Sequence, residues 1–136
     1  MRLGRRSRWL TFLLAAASAW PRSQSSGSAQ EAFARGTSLH GAGDFDGAIR
    51  EYRAALALDP ANFEARSNLG VALARIGHYE EAITAYRQAL ENAPPAAANH
   101  LRMNLALAYY KSGQISEAAG LFGEVQPHPP PPPVQL

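Results

Sequence analysis

With 136 residues and a formal charge of +2, the chain has room for one modest domain and lacks the basic excess that nucleic-acid binding draws on. It has no cysteine, which excludes disulfide staples, a thiol nucleophile and a lipid-modified cysteine, so packing alone must hold its fold. Twelve arginines against one lysine, with abundant alanine, is the usage of a GC-rich and bacterial genome.

Four of the basic residues, Arg2, Arg5, Arg6 and Arg8, precede the apolar run "WLTFLLAAASAW" from Trp9 to Trp20. A basic start, a short apolar stretch and small residues at Ala17 and Ala19 read as a secretory signal peptide over residues 1–19, with Ala29 as a second cleavage position. Pro21 and Arg22 stop the run well short of the ~20 residues that span a bilayer, although an uncleaved membrane anchor is the alternative. Arg8 interrupts the pattern that a twin-arginine signal would need after Arg5 and Arg6. The expected location is therefore outside the cytoplasm, periplasmic or secreted. Without residues 1–19, nine basic side chains face eleven acidic ones, which removes any electrostatic case for nucleic acid. Residues 20–28, "WPRSQSSGS", read as a flexible linker.

The next hundred residues repeat. Shifted by 34, "GDFDGAIREYRAALALDP" from Gly43 lies on "GHYEEAITAYRQALENAP" from Gly77, matching at Gly43/Gly77, Phe45/Tyr79, Ala48/Ala82, Ile49/Ile83, Tyr52/Tyr86, Ala55/Ala89, Leu56/Leu90 and Pro60/Pro94. After a two-residue slip, Gly113, Ile115, Ala118, Phe122 and Val125 take the corresponding places in a third copy. Ahead of each Gly runs a second helical pattern, clearest in Leu69-Gly70-Leu73 and Leu105-Ala106-Tyr109.

Each unit thus reads as a helix, a turn at Gly and a second helix ended by Pro. Gly43, Gly77 and Gly113 supply the positive φ of a helix terminus, while Pro60 and Pro94 prevent helical continuation. Asp44 is placed to cap the second helix of the first unit, and Glu80 and Glu81 favour the positive end of the helix dipole in the second. Small residues at Gly70/Ala106 and Ala82/Ala118 are expected to let the helices of a hairpin approach, with Tyr52, Tyr86 and Phe122 filling the gap to the neighbouring unit.

These residues resemble the tetratricopeptide repeat (TPR) family, best in "NLG…AL…IGHYEEAITAYRQAL…P" of the second unit. The resemblance implies an all-α solenoid of αα hairpins with about six helices. The repeats fall at 29–62, 63–96 and 99–126, within a domain of residues 29–126. Four positions depart from the family: Ala32 and Arg35 stand where bulky apolar residues are usual, and Arg66 and Arg102 replace the usual aromatic residue.

The resemblance also implies a function of surface rather than chemistry. First helices line the concave side of such arrays, which places Phe33, Thr37 and His40 there from the first repeat. The second repeat contributes Glu64, Ser67, Asn68, Val71 and Arg75, and the third His100, Met103, Asn104, Leu107 and Tyr110. His100, Met103, Leu107 and Tyr110 fall on one helical stripe, and Asn68 and Asn104 share a position from which amides could grip a peptide backbone. The carboxylate clamp of chaperone-binding TPR domains is not expected, because Phe33, His100 and Asn104 hold its basic positions.

The expected partner is a protein or peptide, bound by an adaptor or scaffold without cofactor, metal or catalysis. His40, His78, His100 and His128 are 22 or more positions apart and form no ligand pair, and no nucleophile, phosphate loop or carboxylate pair for acid–base work is present. At the C-terminal end, Leu121, Phe122 and Val125 run almost directly into proline without a polar capping helix. They form a second candidate face, through which the chain would self-associate or dock as a structural subunit of an envelope complex. Residues 127–136 read as a disordered Pro-rich tail in polyproline II, a spacer or a ligand for an aromatic groove.

Overall fold

The computed structural model describes residues 22–125, all in helices and short turns; the expected signal peptide and Pro-rich tail lie outside the described residues. Six helices follow in order: α1 (Arg22–Gly41), α2 (Phe45–Leu58), α3 (Phe63–Arg75), α4 (Tyr79–Asn92), α5 (Pro95–Ser112) and α6 (Ile115–Glu124). Helix α1 begins at Arg22, so helix occupies most of the stretch expected to be a linker over 20–28, and the buried Ala29 and Ala32 lie well inside it. None of the six is long and apolar enough to cross a membrane.

The turns explain why the helices stop where they do. Gly43, Gly77 and Gly113 have φ of 81°, 83° and 87°, the left-handed conformation that a Cβ disfavours. In each turn the residue after Gly donates its N–H five positions back, as in His78 N–H to the Leu73 carbonyl at 2.9 Å. Gly itself donates three back, as in Gly77 to Ala74 at 3.1 Å. Asp44 to Leu39 with Gly43 to His40, and Gln114 to Tyr109 with Gly113 to Tyr110, complete three copies of the same Schellman closure. Starts are set by side chains: Asp44 accepts from Gly47 N–H at 2.8 Å and Asn62 from Ala65 N–H at 2.9 Å. Helix α5 instead starts at Pro95, where a missing N–H costs nothing.

Alanines and leucines from successive helices pack around two tyrosines. Tyr52 and Tyr86 are 1% and 2% exposed, and their rings lie over Gly36 and Gly70 in the first helix of their own hairpins. Beyond the expected place in the gap between units, these rings thus also close on a glycine within their own unit. Tyr86 also reaches toward α5, where it lines a cleft with Asn104. Phe122, the third of the set, is 44% exposed because no further hairpin follows α6 among the described residues.

The departures from the family pattern have local accommodations. Ala32 is buried, and the half-buried Phe33 meets Tyr52 with ring centroids 6.0 Å apart, supplying the bulk. Arg35 turns to solvent and pairs with Glu51 of α2 at 3.0 Å. Arg66 ties the connection after α2 to α4, donating to the Pro60 carbonyl at 2.6 Å and to Gln88 at 2.5 Å. Arg102 donates to Asn99 one turn back.

Candidate functional site: the inner face of the first helices

The backbones of α1, α3 and α5 approach one another in sequence, whereas those of α2, α4 and α6 approach only the first helices that flank them, α2 and α4 meeting through the Arg53–Glu81 ion pair. A two-layer stack whose first-helix layer is the closer packed bends toward that layer, so α1, α3 and α5 form the inner wall. Two clefts open on it.

One cleft, of about 230 Å³, lies between the second and third repeats. Val71, Ala74 and Arg75 come from α3, Tyr79 and Tyr86 from α4, and Asn104, Leu107, Ala108 and Lys111 from α5. The other, of about 390 Å³, spans all three repeats: Phe33 of α1; Phe63, Glu64, Ser67 and Asn68 of α3; Ala97, His100 and Leu101 of α5. The structure thus brings Phe33, Ser67, Asn68 and His100 to one cleft and Val71, Arg75, Asn104 and Leu107 to the other.

Four of the anticipated groove residues line neither, His40 among them. The Thr37 hydroxyl donates to the Ala34 carbonyl at 2.9 Å within its own helix. Met103 and Tyr110 stand in solvent on α5, 42% and 55% exposed, on either side of Leu107, itself 50% exposed. Together these three make an uncovered apolar stripe along the inner wall.

The two asparagines are not equivalent. Burial raises the pKa of the Tyr52 phenol above its ordinary value, and the nearby Asn68 side chain partly opposes this, so Asn68 lies close to the preceding repeat. The same hydroxyl lies 3.3 Å from His40 Nδ1. The His40 ring stands edge-on to Phe45 at 5.3 Å, and the Arg75 guanidinium covers Phe45 at 4.7 Å. Burial first and then the Arg75 charge hold the His40 pKa below its ordinary value. Burial alone pushes Tyr86 up to about 12.

Sequence reasoning missed Ala74, Tyr79, Tyr86, Ala108 and Lys111 in the first cleft and Phe63, Ala97 and Leu101 in the second. Lys111 was within reach of it, since Asn104, Leu107 and Lys111 continue one i, i+3, i+7 series. Hairpin stacking brought in Tyr79 and Tyr86, because second-helix residues enter the groove only once the repeats pack together, whereas the others lie on α3 and α5 themselves. The acidic pair also does more than favour a dipole. Glu81 accepts from Arg53 of the first repeat at 2.8 Å and lies 3.1 Å from His78, while Glu80 accepts from Gln114 of the third at 2.8 Å.

At the other candidate face, Leu121 is half-buried against the core, Val125 is half-buried and Phe122 is exposed. Ala118 is the one fully buried residue of α6, and Ile115 is 54% exposed.

The tetratricopeptide repeat family profile matches residues 33–97 and 77–130. No match is found among curated proteins. Among solved structures, MamA (AMB-1) is 26% identical with a TM-score of 0.66 over 71% of this chain, which spans 56% of that one. The second TPR of Spaghetti (RPAP3), bound to the HSP90 peptide SRMEEVD, is 26% identical with a TM-score of 0.67, covering 75% of this chain and 93% of that one. The N-terminal domain of stress-induced protein-1 from C. elegans shares the fold at 20% identity and a TM-score of 0.69, covering 74% and 84%. Three Gly-closed hairpins stacked in one direction, with the family profile running through all of them, make this chain a member of the tetratricopeptide repeat family.

Proposed function

We propose that the chain is a protein-interaction module that holds an extended segment of a protein or peptide partner along its inner wall, acting as an adaptor without catalysis. The observation that carries this reading is the pair of clefts together with the exposed stripe of Met103, Leu107 and Tyr110 on α5. An uncovered apolar surface of this kind on a rigid helical wall marks a contact site. The similarity to the Spaghetti domain bound to an HSP90 peptide, which the chain nearly spans, supports a peptide or protein as the partner. Retention by a terminal-carboxylate clamp is not part of the proposal, because Phe33, His100 and Asn104 bring no fixed positive charge to its positions. A location outside the cytoplasm belongs to the proposal and rests on the signal-like pattern of residues 1–19.

A second reading is favoured by α6, with its exposed Ile115 and Phe122. In it the chain is a structural subunit that docks or pairs through this end and leaves the inner wall unused. Leu107→Glu and Phe122→Glu separate the two, since both side chains are exposed and neither substitution opens the core. Crosslinking capture from the native host should lose its specific partner with Leu107→Glu and keep it with Phe122→Glu. The opposite pattern, with both variants melting like the parent, would transfer the function to α6.

A further inference from the structure

The two clefts differ in charge. In the first, Val71, Ala74, Leu107 and Ala108 and the rings of Tyr79 and Tyr86 make an apolar floor, with room for one large side chain. The only charged groups lining it are Arg75 and Lys111, from the last turns of α3 and α5. The second cleft carries Glu64 and His100 instead.

The two cations at the first cleft are also uncompensated. Arg35 and Arg53 are paired with Glu51 and Glu81, and Arg66 is held by the Pro60 carbonyl and Gln88. Among the described residues neither Arg75 nor Lys111 is in an ion pair. Arg75 is nonetheless held in place, because its guanidinium lies over the Phe45 ring. A fixed planar cation and a flexible ammonium thus flank one apolar slot. Two turns before Lys111 on α5, Asn104 offers the same cleft an amide able both to donate to and to accept from a peptide backbone.

We infer that this cleft, if the inner wall is the binding surface proposed above, is a subsite for a large apolar side chain flanked within two residues by side-chain carboxylates. The apolar residue supplies contact area on Leu107 and Tyr86, and the carboxylates set register against Arg75 and Lys111. The recognised feature is an acidic–apolar motif inside a partner segment, read at positions other than those of a terminal-carboxylate clamp. Both cations also complement the helix C-termini they sit on, so the decisive measurement is binding rather than stability.

The test is fluorescence anisotropy of the full chain with labelled nonapeptides of one scaffold, all amidated so that only side-chain carboxylates are read. The central sequence is Glu-Asp-Leu-Glu-Asp, compared with versions in which Lys replaces the acids or Ser replaces Leu. The acidic–Leu peptide should bind about tenfold tighter than either, with an affinity that falls as salt rises. Lys111→Glu should weaken it about tenfold and favour the Lys peptide instead, and Arg75→Gln should weaken it less. Equal affinity for acidic and Lys peptides, or indifference to Lys111→Glu, overturns the inference. If binding in that case still disappears with Leu107→Glu, the inner-wall reading survives it. A panel in which no peptide binds overturns both.

Discussion

Gly70 allows the sharpest test of how the hairpins close. A Cβ built there would stand 2.7 Å from Tyr86 Cε1, 2.9 Å from Cδ1 and 3.0 Å from Cζ, all closer than carbon atoms tolerate. The ring has little room to swing away, because Tyr86 is 2% exposed and borders open space only at the cleft toward α5. Overpacking of this kind costs about 1–3 kcal/mol, and a rigid neighbour puts Gly70→Ala at the upper end. Alanine regains about 1 kcal/mol as the better helix former, leaving a net loss of about 1–2 kcal/mol. For a domain near a hundred residues that lowers Tm by about 5–15 °C. Gly120→Ala is the control: nothing lies within 4 Å of its Cβ, so the propensity gain of about 0.5–1 kcal/mol stands alone and Tm rises. Urea titration of both variants, with Gly70→Ala repeated in a Tyr86→Leu background where the clash is relieved, gives the coupling directly. A Gly70→Ala protein as stable as the parent would refute the argument.

Two further outcomes follow from caps and titration. Asp44→Ala and Asn62→Ala should each cost about 1 kcal/mol in urea titration, whereas His78→Ala should cost much less, since His78 makes no capping bond to α4; equal losses at all three would deny the caps their role. Tyr86, at about 12 when folded and about 10 when unfolded, favours the neutral phenol in the fold, so its contribution is intact below pH 10 and is lost as pH rises through 12. Tyr86→Phe should flatten that alkaline loss, and the same slope in parent and variant would show the phenol to be uninvolved.

The hairpins were legible because their signals are local. A glycine closing a turn, a proline stopping a helix and an aspartate one residue before another each act within a few residues, and the φ values at Gly43, Gly77 and Gly113 follow directly. Contacts between units were harder to read. Tyr86 recurs at the repeat period whether it meets its own hairpin or the next, and the structure has it meet both, at Gly70 and at the cleft with α5. Glu80 and Glu81 have a sufficient reason within α4, which hides their bonds to Gln114 and Arg53 in the flanking repeats. On the inner wall the first-helix positions could be placed by periodicity, so Leu107 and Asn104 meet Val71 across a cleft. Thr37 could not, since a hydroxyl in a helix can bond its own backbone, as this one does to Ala34.

Helix α6 buries one residue where α4 buries five, yet it shares with α4 the support of α5, which forms the far wall of the smaller cleft. The last hairpin is therefore the first to open in native-state fluctuations, and α5 loosens with it. A ligand that bridges α3 and α5 holds that wall shut. Its occupancy would be recorded as slowed amide exchange in α6, a helix that it never touches.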